Sequence, residues 1–319
     1  MAVYTTVSDE QLDTLLTDYD IGRAVNLQAI EQGIENSNYF LTTDKAKYVL
    51  TIYEKRVNKE DLPFYLNLME HLAKKGVPCP VPIKNKDGSN LSQVNGRPCA
   101  IVSFLNGKYT KNIRNEHLSE LGGNIAKMHI AASDFDMELK NNFSLSAWGG
   151  LFNSVKDQVD SLRPGLKSEV EDELGNYTVN WPKSLYSGVV HADLFPDNVF
   201  YQDGKLVGII DYYFACNDYL MYDLAICLNA WCFENNNEFN ITKAKKFLNS
   251  YNQVRKISEE ELNALPILAG GAALRFLLTR LYDWFNPVEG ALVNPKDPME
   301  YLEKLRFHNG IKSHSEYGL

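Results

Sequence analysis

Apolar and polar residues alternate differently in the first third of the chain and in the remainder. In the first third, short apolar runs predict strands at 24–30, 39–42, 47–54 and 97–105, with an amphipathic helix at 59–75 among them. Farther along, apolar residues recur every three or four positions and predict helices at 115–132, 222–231, 241–252, 259–265 and 270–284. The pattern therefore indicates an α+β fold in which most strands precede most helices.

Local signals refine some of these boundaries. Ser8-Asp9-Glu10-Gln11 has the form of a capping box, which predicts a helix from Ser8 to about residue 18. Lys86-Asp87-Gly88 is typical of a hairpin turn. Residues 133–182 are polar and predict helices in pieces, one of them at 162–174.

Composition limits the classes of partner. Of the 319 residues 45% are hydrophobic, which is enough for a sizeable core, and the length indicates about two domains. The net charge of −9 argues against a nucleic-acid partner, which would require a basic face. No apolar run reaches the roughly 18 residues of a membrane span, and residues 1–10 lack a signal-peptide pattern. We therefore expect neither a nucleic-acid nor a membrane partner.

The cysteines indicate a reducing compartment. They are odd in number and follow no zinc-binding spacing, and most lie within apolar runs: Cys79, Cys99, Cys216, Cys227 and Cys232. Buried, reduced thiols are therefore expected, and these favour a cytoplasmic location.

Polar residues with a regular spacing interrupt the apolar runs near residue 190. His191, Asp193 and Asn198 follow the run 188–190, and Asp211 ends a later run at 206–210. A carboxylate such as Asp193 can orient an alcohol and take its proton, while an amide oxygen and a carboxylate suit Mg²⁺. These residue types fit phosphoryl transfer, which depends on positioning and charge neutralisation. A polar turn between core strands is the alternative, and the flanking strands favour the catalytic interpretation.

The motif resembles the catalytic loop and metal-binding aspartate of the protein-kinase-like phosphotransferases. The chain as a whole is similar to their aminoglycoside/choline-kinase branch, and within it to the bacterial type II homoserine kinases. The stretches that carry this resemblance jointly are 35–40, 48–51, 61–64, 191–198 with 210–213, and 275–281.

The resemblance implies a two-lobed protein-kinase-like fold. Residues 1–105 are expected to form an antiparallel-sheet lobe with the hinge, and residues 106–319 a mainly helical catalytic lobe. ATP and Mg²⁺ are the implied cofactors. The implied acceptor is a small amino-acid alcohol, L-homoserine, phosphorylated on its side-chain hydroxyl in threonine biosynthesis.

The resemblance also implies roles for individual residues. In the helical lobe, Asp193 is expected as the catalytic base, Asn198 and Asp211 as Mg²⁺ ligands, and His191 and Asp223 as supports of the catalytic loop. In the sheet lobe, nucleotide contacts are expected from Asn36, Ser37, Asn38, Val49 and the hinge backbone at Ser103 and Leu105. The loop before Asn36 contains only one Gly, so an ordinary surface turn is the alternative there.

One part of the usual nucleotide site is missing. Thr51 stands where relatives of this fold often carry a Lys or Arg for the phosphates. Tyr65 or Leu66 falls where the Glu partner of that cation is expected. Both members of the ion pair are absent together, and Thr51 belongs to the homoserine-kinase match. The sequence therefore does not identify the group that binds the phosphates.

Arg275 and Arg280 lie in the very apolar stretch 270–284, where an unpaired charge is costly. Each is either a salt-bridged core residue or a clamp for a substrate carboxylate, a task that suits the bidentate geometry of Arg. The two are about equal as the clamp, with Arg280 slightly favoured. Tyr213 is expected beside the substrate, and His129 is expected in the core rather than as a ligand.

Other functions compete with homoserine phosphorylation. A kinase of another small alcohol, such as choline, methylthioribose or an aminoglycoside, would use the same core. The aromatic residues near Tyr212 and Trp231 leave an aromatic binding site for a quaternary ammonium group as an alternative. A nucleotide-binding pseudokinase is supported only by the missing ion pair. A protein kinase is set aside because D-F-G and A-P-E signatures are absent.

Overall fold

A computed structural model of the protein describes residues 4–30, 36–54, 57–287 and 295–319. The first part of the chain forms an antiparallel sheet with the strand order β1-β2-β3-β5-β4. Its strands are β1 (Ala24–Ala29), β2 (Ser37–Thr43), β3 (Lys47–Ile52), β4 (Ser92–Val94) and β5 (Arg97–Ser103). Helix α1 (Asp9–Leu16) precedes the sheet, and helix α2 (Leu62–Lys74) lies between β3 and β4 in the chain.

Helix α1 begins as the sequence predicts. The hydroxyl of Ser8 accepts the backbone N–H of Gln11 at 3.3 Å, and the Gln11 side chain accepts the N–H of Ser8 at 2.9 Å. Leu12 and Leu15 then pack on the sheet, where Leu50 of β3 stands between strands β2 and β5. The capping box and the apolar face of α1 together close one side of this small core.

Helix α2 belongs to a second, larger hydrophobic core. Its buried residues Leu66, Met69 and Leu72 lie in the same cluster as the apolar residues of the helical part. This helix therefore joins the sheet to the helices that follow.

Helices dominate the rest of the described chain. They are α3 (Asn115–Ala131), α4 (Leu145–Asn153), α5 (Leu166–Asn180), α6 (Leu220–Trp231), α7 (Ile241–Val254), α8 (Glu259–Phe285) and α9 (Met299–Gly310). Two antiparallel ladders lie among them: β6 (Ser187–Val190) with β9 (Cys216–Tyr219), and β7 (Val199–Gln202) with β8 (Lys205–Ile209). The polar motif lies on the segments that connect the two ladders, between β6 and β7 and between β8 and β9. The α+β class predicted from the sequence is confirmed.

Helix α8 is continuous, so the prediction of separate helices at 259–265 and 270–284 was wrong. Pro266 lies inside it and removes one intrahelical hydrogen bond. Nearly every residue from Leu265 to Leu281 is buried, and this packing outweighs the cost of the proline. By length and composition α8 could also cross a membrane, but 67% of its most apolar window is buried inside the protein, as in a core helix.

The other boundaries shift modestly. Helix α5 starts and ends later than the predicted 162–174, and α9 forms in the polar tail, where no helix was predicted. All five cysteines are free and buried. Burial raises the pKa of the Cys79 and Cys99 thiols to about 12, which suppresses the reactive thiolate.

Candidate active site

The loop between β6 and β7 brings Asp193 and Asn198 into contact. The side-chain amide nitrogen of Asn198 donates to the Asp193 carboxylate oxygen Oδ2 at 3.0 Å and to the Asp193 backbone oxygen at 2.9 Å. Both amide hydrogens are thereby used, and the carbonyl oxygen Oδ1 of Asn198 makes no hydrogen bond to the described residues. One side chain thus orients the Asp193 carboxylate and retains an oxygen ligand.

His191 connects this loop to the segment that follows β8. Its Nε2 donates to the backbone oxygen of Ile210 at 2.9 Å, and its Nδ1 accepts the backbone N–H of Asp193 at 3.3 Å. Burial lowers the pKa of His191, in agreement with the neutral ring that these contacts require. The N–H of Ile210 donates to the backbone oxygen of Asn198 at 2.9 Å. The residue before Asp211 is therefore bonded to the catalytic loop through both of its backbone groups.

Asp211 follows Ile210 in the left-handed conformation, with φ at 65°. This conformation is uncommon for residues with a Cβ and occurs often at functional sites. It turns the chain into the short helical turn Tyr212–Phe214, and the residue is exposed. The structure thus places an exposed carboxylate one residue beyond the contacts that hold Asn198.

The donor set at this point fits a hard divalent cation. The Asn198 carbonyl oxygen and the Asp211 carboxylate are ligand types that Mg²⁺ prefers, and Mg²⁺ takes its other ligands from water and phosphates. In the part of the chain that the structure describes, no group of three or more His, Cys, Asp or Glu could hold a metal.

Asp223 of α6 supports the loop from inside the protein. Its carboxylate accepts the backbone N–H groups of His191 and Ala192, each at 2.8 Å, and the side chain is completely buried. His129 bonds to the same carboxylate at 3.0 Å through Nε2 and to the hydroxyl of Tyr251 at 2.8 Å through Nδ1. His129 is therefore a core residue, as the sequence indicated, and α3, α6 and α7 together hold the loop.

The surroundings of Asp193 adjust its basicity. Burial raises its pKa above the usual value, while the cations of Arg275 and, more weakly, Lys296 act in the opposite direction. The net direction is upward, which makes the carboxylate a better proton acceptor than an exposed Asp. Lys296, which the sequence did not single out, lies with its ammonium 5.3 Å from the ring centre of Phe195 in the catalytic loop. No local motif marks Lys296, since it reaches the loop from the far end of the chain.

Hydroxyl and aromatic contacts occupy the place of the missing ion pair. The Thr51 hydroxyl donates to the side-chain oxygen of Asn38 at 2.7 Å. The hydroxyls of Tyr53 and Tyr213 lie 3.0 Å apart, and Tyr65 of α2 packs edge-on against the Tyr213 ring at 5.8 Å. Tyr213 was predicted beside the substrate, but its hydroxyl contacts Tyr53, which follows strand β3 of the sheet.

The side chains of Ser37 and Asn36 form hydrogen bonds within the sheet region and do not line an open cleft. The Ser37 hydroxyl is buried, accepts two backbone N–H groups of residues 4 and 5 at 2.8 and 3.0 Å, and donates to Glu54 at 2.7 Å. Asn36 accepts the N–H of Glu54 at 3.2 Å, and Arg97 pairs with the Glu54 carboxylate at 2.8 Å. A direct phosphate contact from the Ser37 side chain does not fit these bonds. Residues 31–35 of the predicted phosphate loop lie outside the described residues.

The hinge differs in part from the prediction. The N–H of Ser103 donates to the Val81 backbone oxygen at 2.8 Å, so it is not free for an adenine ring. The backbone groups of Leu105 make no hydrogen bond to other described residues. The Leu105 side chain packs so closely on Gly208 that a Cβ there would lie 2.4 Å from Leu105 Cδ1. Leu105 and the half-buried Val49 of β3 remain suitable for a nucleotide.

The two arginines of α8 have different surroundings. Arg280 lies 2.7 Å from the Glu300 carboxylate and 2.8 Å from the backbone oxygen of Asp297. Arg275 is 4% exposed, forms no ion pair with a described residue, and has Nε and Nη1 without hydrogen-bond partners there. Arg280 is thus the salt-bridged core residue, which removes the preference for it as the carboxylate clamp.

The aromatic residues considered for an ammonium box are not accessible. Tyr212 and Trp231 are 1% and 0% exposed. The indole N–H of Trp231 donates to the backbone oxygen of Leu194 at 2.7 Å, behind the catalytic loop. They support the loop and do not line a ligand site.

Comparisons with known proteins identify the family of the chain. The family model described as the phosphotransferase enzyme family matches residues 26–257. A homoserine kinase of Rhodospirillum rubrum is 51% identical over 319 residues, which covers 100% of this chain and 99% of that protein. A homoserine kinase of Xanthobacter autotrophicus is 52% identical with the same coverage.

Solved structures show the same fold at low sequence identity. An amicoumacin kinase in complex with AMP-PNP and Ca²⁺ has a TM-score of 0.70 at 16% identity, covering 95% of this chain and 92% of that chain. A spectinomycin phosphotransferase in complex with ADP and spectinomycin has a TM-score of 0.69 at 14% identity, covering 98% of both chains. The two-lobed kinase-like fold expected from the sequence is thereby confirmed. By its full-length identity to known homoserine kinases and its match to the family model, this chain belongs to the homoserine kinases of the phosphotransferase enzyme family.

Proposed function

We propose that this protein transfers the γ-phosphoryl group of ATP to the side-chain hydroxyl of L-homoserine, a step of threonine biosynthesis in the cytoplasm. The full-length identity to homoserine kinases supports the substrate. The observation that supports the chemistry is the bond from the Asn198 amide to the Asp193 carboxylate, because it brings the proposed base next to the proposed Mg²⁺ ligand.

In the proposed reaction, Asp193 accepts the proton of the homoserine hydroxyl as the hydroxyl oxygen bonds to the γ-phosphorus. The bond between that phosphorus and the bridging oxygen of ATP breaks, and ADP leaves with the electron pair. The proton then passes from Asp193 to solvent. The raised pKa of Asp193 suits this role, while His191 and Asp223 keep the loop in place.

Asn198 and Asp211 would hold Mg²⁺, which would neutralise charge on the phosphates. For the nucleotide, Leu105 has unbonded backbone groups at the hinge, and Val49 offers an apolar contact. Asn38 accepts from Thr51 through its oxygen, so its amide nitrogen is left to donate to a phosphate.

An acceptor panel tests the proposal. ADP release would be measured with Mg·ATP and L-homoserine, L-serine, choline, methylthioribose or kanamycin, with heat-treated protein as the blank. We expect L-homoserine to give the highest kcat/KM. A higher value with another alcohol would replace the substrate, and ATP binding without turnover of any acceptor would indicate a pseudokinase.

A further inference from the structure

Arg275 carries a buried charge and forms no ion pair with a described residue. Its guanidinium is surrounded by aromatic rings, at 4.0 Å from the ring centre of Phe276, 5.0 Å from Phe143 and 5.7 Å from Phe214. Guanidinium groups stay protonated in proteins, and ring faces replace only part of the lost hydration. A buried charge of this kind is stabilised when an anion with suitable geometry pairs with it and accepts its hydrogen bonds.

Two phenol hydroxyls near Arg275 are also without partners. The hydroxyls of Tyr222 on α6 and Tyr301 on α9 are buried and form no hydrogen bond within the described chain. Both phenols interact electrostatically with Arg275. The Tyr301 ring packs at 5.3 Å against Phe276, the residue whose ring lies 4.0 Å from the Arg275 guanidinium. Buried polar groups without hydrogen-bond partners on three helices are unusual for a hydrophobic core and fit an anion site.

This region lies within reach of the catalytic base. The ring of Phe276, 4.0 Å from the Arg275 guanidinium, packs at 4.9 Å against Phe195, two residues beyond Asp193, and the Arg275 cation acts on the Asp193 carboxylate. Homoserine carries its hydroxyl and its carboxylate at opposite ends of a short carbon chain. A single acceptor molecule can therefore place the hydroxyl at Asp193 and the carboxylate at Arg275.

We propose that Arg275, assisted by the hydroxyls of Tyr222 and Tyr301, binds the α-carboxylate of the acceptor and selects amino-acid alcohols over cationic alcohols. The proposal rests on the homoserine kinase function given above. A carboxylate accepts two parallel N–H groups from the guanidinium, a geometry that no hydroxyl or ammonium group reproduces. Choline or an aminoglycoside would bring positive charge to an unpaired arginine, so the same residue also rejects the wrong acceptor.

Removing the acceptor carboxylate and removing Arg275 should each lower kcat/KM, because each removes one partner of the same contact. The assay compares kcat/KM for L-homoserine and for 3-aminopropan-1-ol, which is homoserine without its carboxylate, in the native protein and in Arg275→Met. For Arg275→Met we expect kcat/KM with homoserine to fall roughly a hundredfold or more, since a buried charged contact is lost. The value with 3-aminopropan-1-ol, a cation, is measured above the acidic limb of the pH–rate profile, where Asp193 is deprotonated. It should not fall: it should stay within about threefold or rise, because the repulsion from Arg275 is removed. A parallel fall for both acceptors would overturn the proposal, because a purely structural arginine affects every acceptor alike.

Tyr222→Phe provides a second test that does not depend on the folding of Arg275→Met, because it removes a hydroxyl that has no hydrogen-bond partner among the described residues. It should lower kcat/KM several-fold for homoserine and leave 3-aminopropan-1-ol unchanged. Equal effects on both acceptors would again contradict the assignment. Arg280→Met is the matched control on the same helix: it breaks the pair with Glu300 but should preserve the preference for homoserine.

The two proposals fail in different ways. If the native protein releases ADP with another alcohol but not with homoserine, the proposed function is wrong. If it phosphorylates homoserine while Arg275→Met and Tyr222→Phe keep the native preference for the carboxylate, only the role of Arg275 is wrong.

Discussion

Ala192 donates its backbone N–H to the Asp223 carboxylate at 2.8 Å from a backbone with φ at 61°. The left-handed conformation costs a residue with a Cβ roughly 1–2 kcal/mol, so it requires support from its surroundings. Because Asp193 is the next residue, the direction of the candidate base depends on this bond.

Replacing Asp223 should therefore affect both stability and turnover. In Asp223→Asn only one side-chain oxygen remains, so one of the buried N–H groups of His191 and Ala192 loses its acceptor. We expect the free energy of unfolding to fall by about 1–3 kcal/mol, and kcat to fall at least about tenfold. Urea unfolding and ADP release measure the two effects. Asp203→Asn, at an exposed hairpin residue with φ at 50°, is the control and should change neither. Native kcat in Asp223→Asn would show that the loop holds its own conformation.

Asp193→Asn should abolish most turnover while the fold is kept. The new amide can still accept the hydrogen bond from Asn198, but it cannot accept a proton from the alcohol. We expect kcat to fall by roughly 10²–10⁴-fold, the usual contribution of a general base. ATP affinity, measured by calorimetry, should change little. Asp197→Asn, at an exposed carboxylate in the same loop, should retain kcat within a few-fold. Turnover of Asp193→Asn within a few-fold of native would assign the base elsewhere.

The acidic limb of the pH–rate profile should report on Lys296. The charged groups that act on Asp193 are Arg275, Asp197 and Lys296, and the Lys296 cation lowers the Asp193 pKa. Lys296→Met removes that effect, so the pKa of Asp193 rises. Since the base must be deprotonated, the decline of kcat/KM in acid should begin at a higher pH than in the native protein.

Lys296→Arg keeps the positive charge and should restore the native limb. An identical profile for Lys296→Met and the native protein would indicate that this cation does not act on the base.

Acid should destabilise the fold through His308. Its Nε2 donates to the side-chain oxygen of Asn229 at 3.2 Å and its Nδ1 accepts from the Tyr317 hydroxyl at 2.7 Å, so the ring is neutral. Burial, with a smaller effect of the Lys304 cation, lowers its pKa to about 3. Below the usual histidine pKa the unfolded chain binds a proton that the folded chain rejects, so stability falls as pH decreases toward 3.

We therefore expect the native protein to lose on the order of 1–2 kcal/mol more than His308→Gln between pH 7 and pH 5.5. Urea unfolding at the two pH values measures this difference. Equal losses in both proteins would mean that other groups determine the acid sensitivity.

The spacing of the catalytic loop could be predicted from the sequence because its contacts are local. Asn198 bonds to Asp193 within one loop, and Asp211 lies two residues beyond the strand that pairs with β7. The roles of these residues in phosphoryl transfer stay a prediction.

Long-range partners could not be predicted in this way. The choice between Arg275 and Arg280 depends on Glu300, which reaches Arg280 only because α9 folds back onto α8. Ser37 faces Glu54 because two strands end together, and no pattern within the loop shows this. Proline by itself favours a break in the helix, but the packing around Pro266 stabilises the continuous helix by more than the proline destabilises it.

The pair of Tyr53 and Tyr213 has a mechanical consequence. One phenol follows strand β3, and the other lies two residues beyond Asp211, so the contact crosses from the sheet to the candidate metal loop. Any movement of the sheet relative to the helical part would have to either pivot on these two rings or separate them. If such a movement accompanies the departure of product, its speed would depend on this hydroxyl pair.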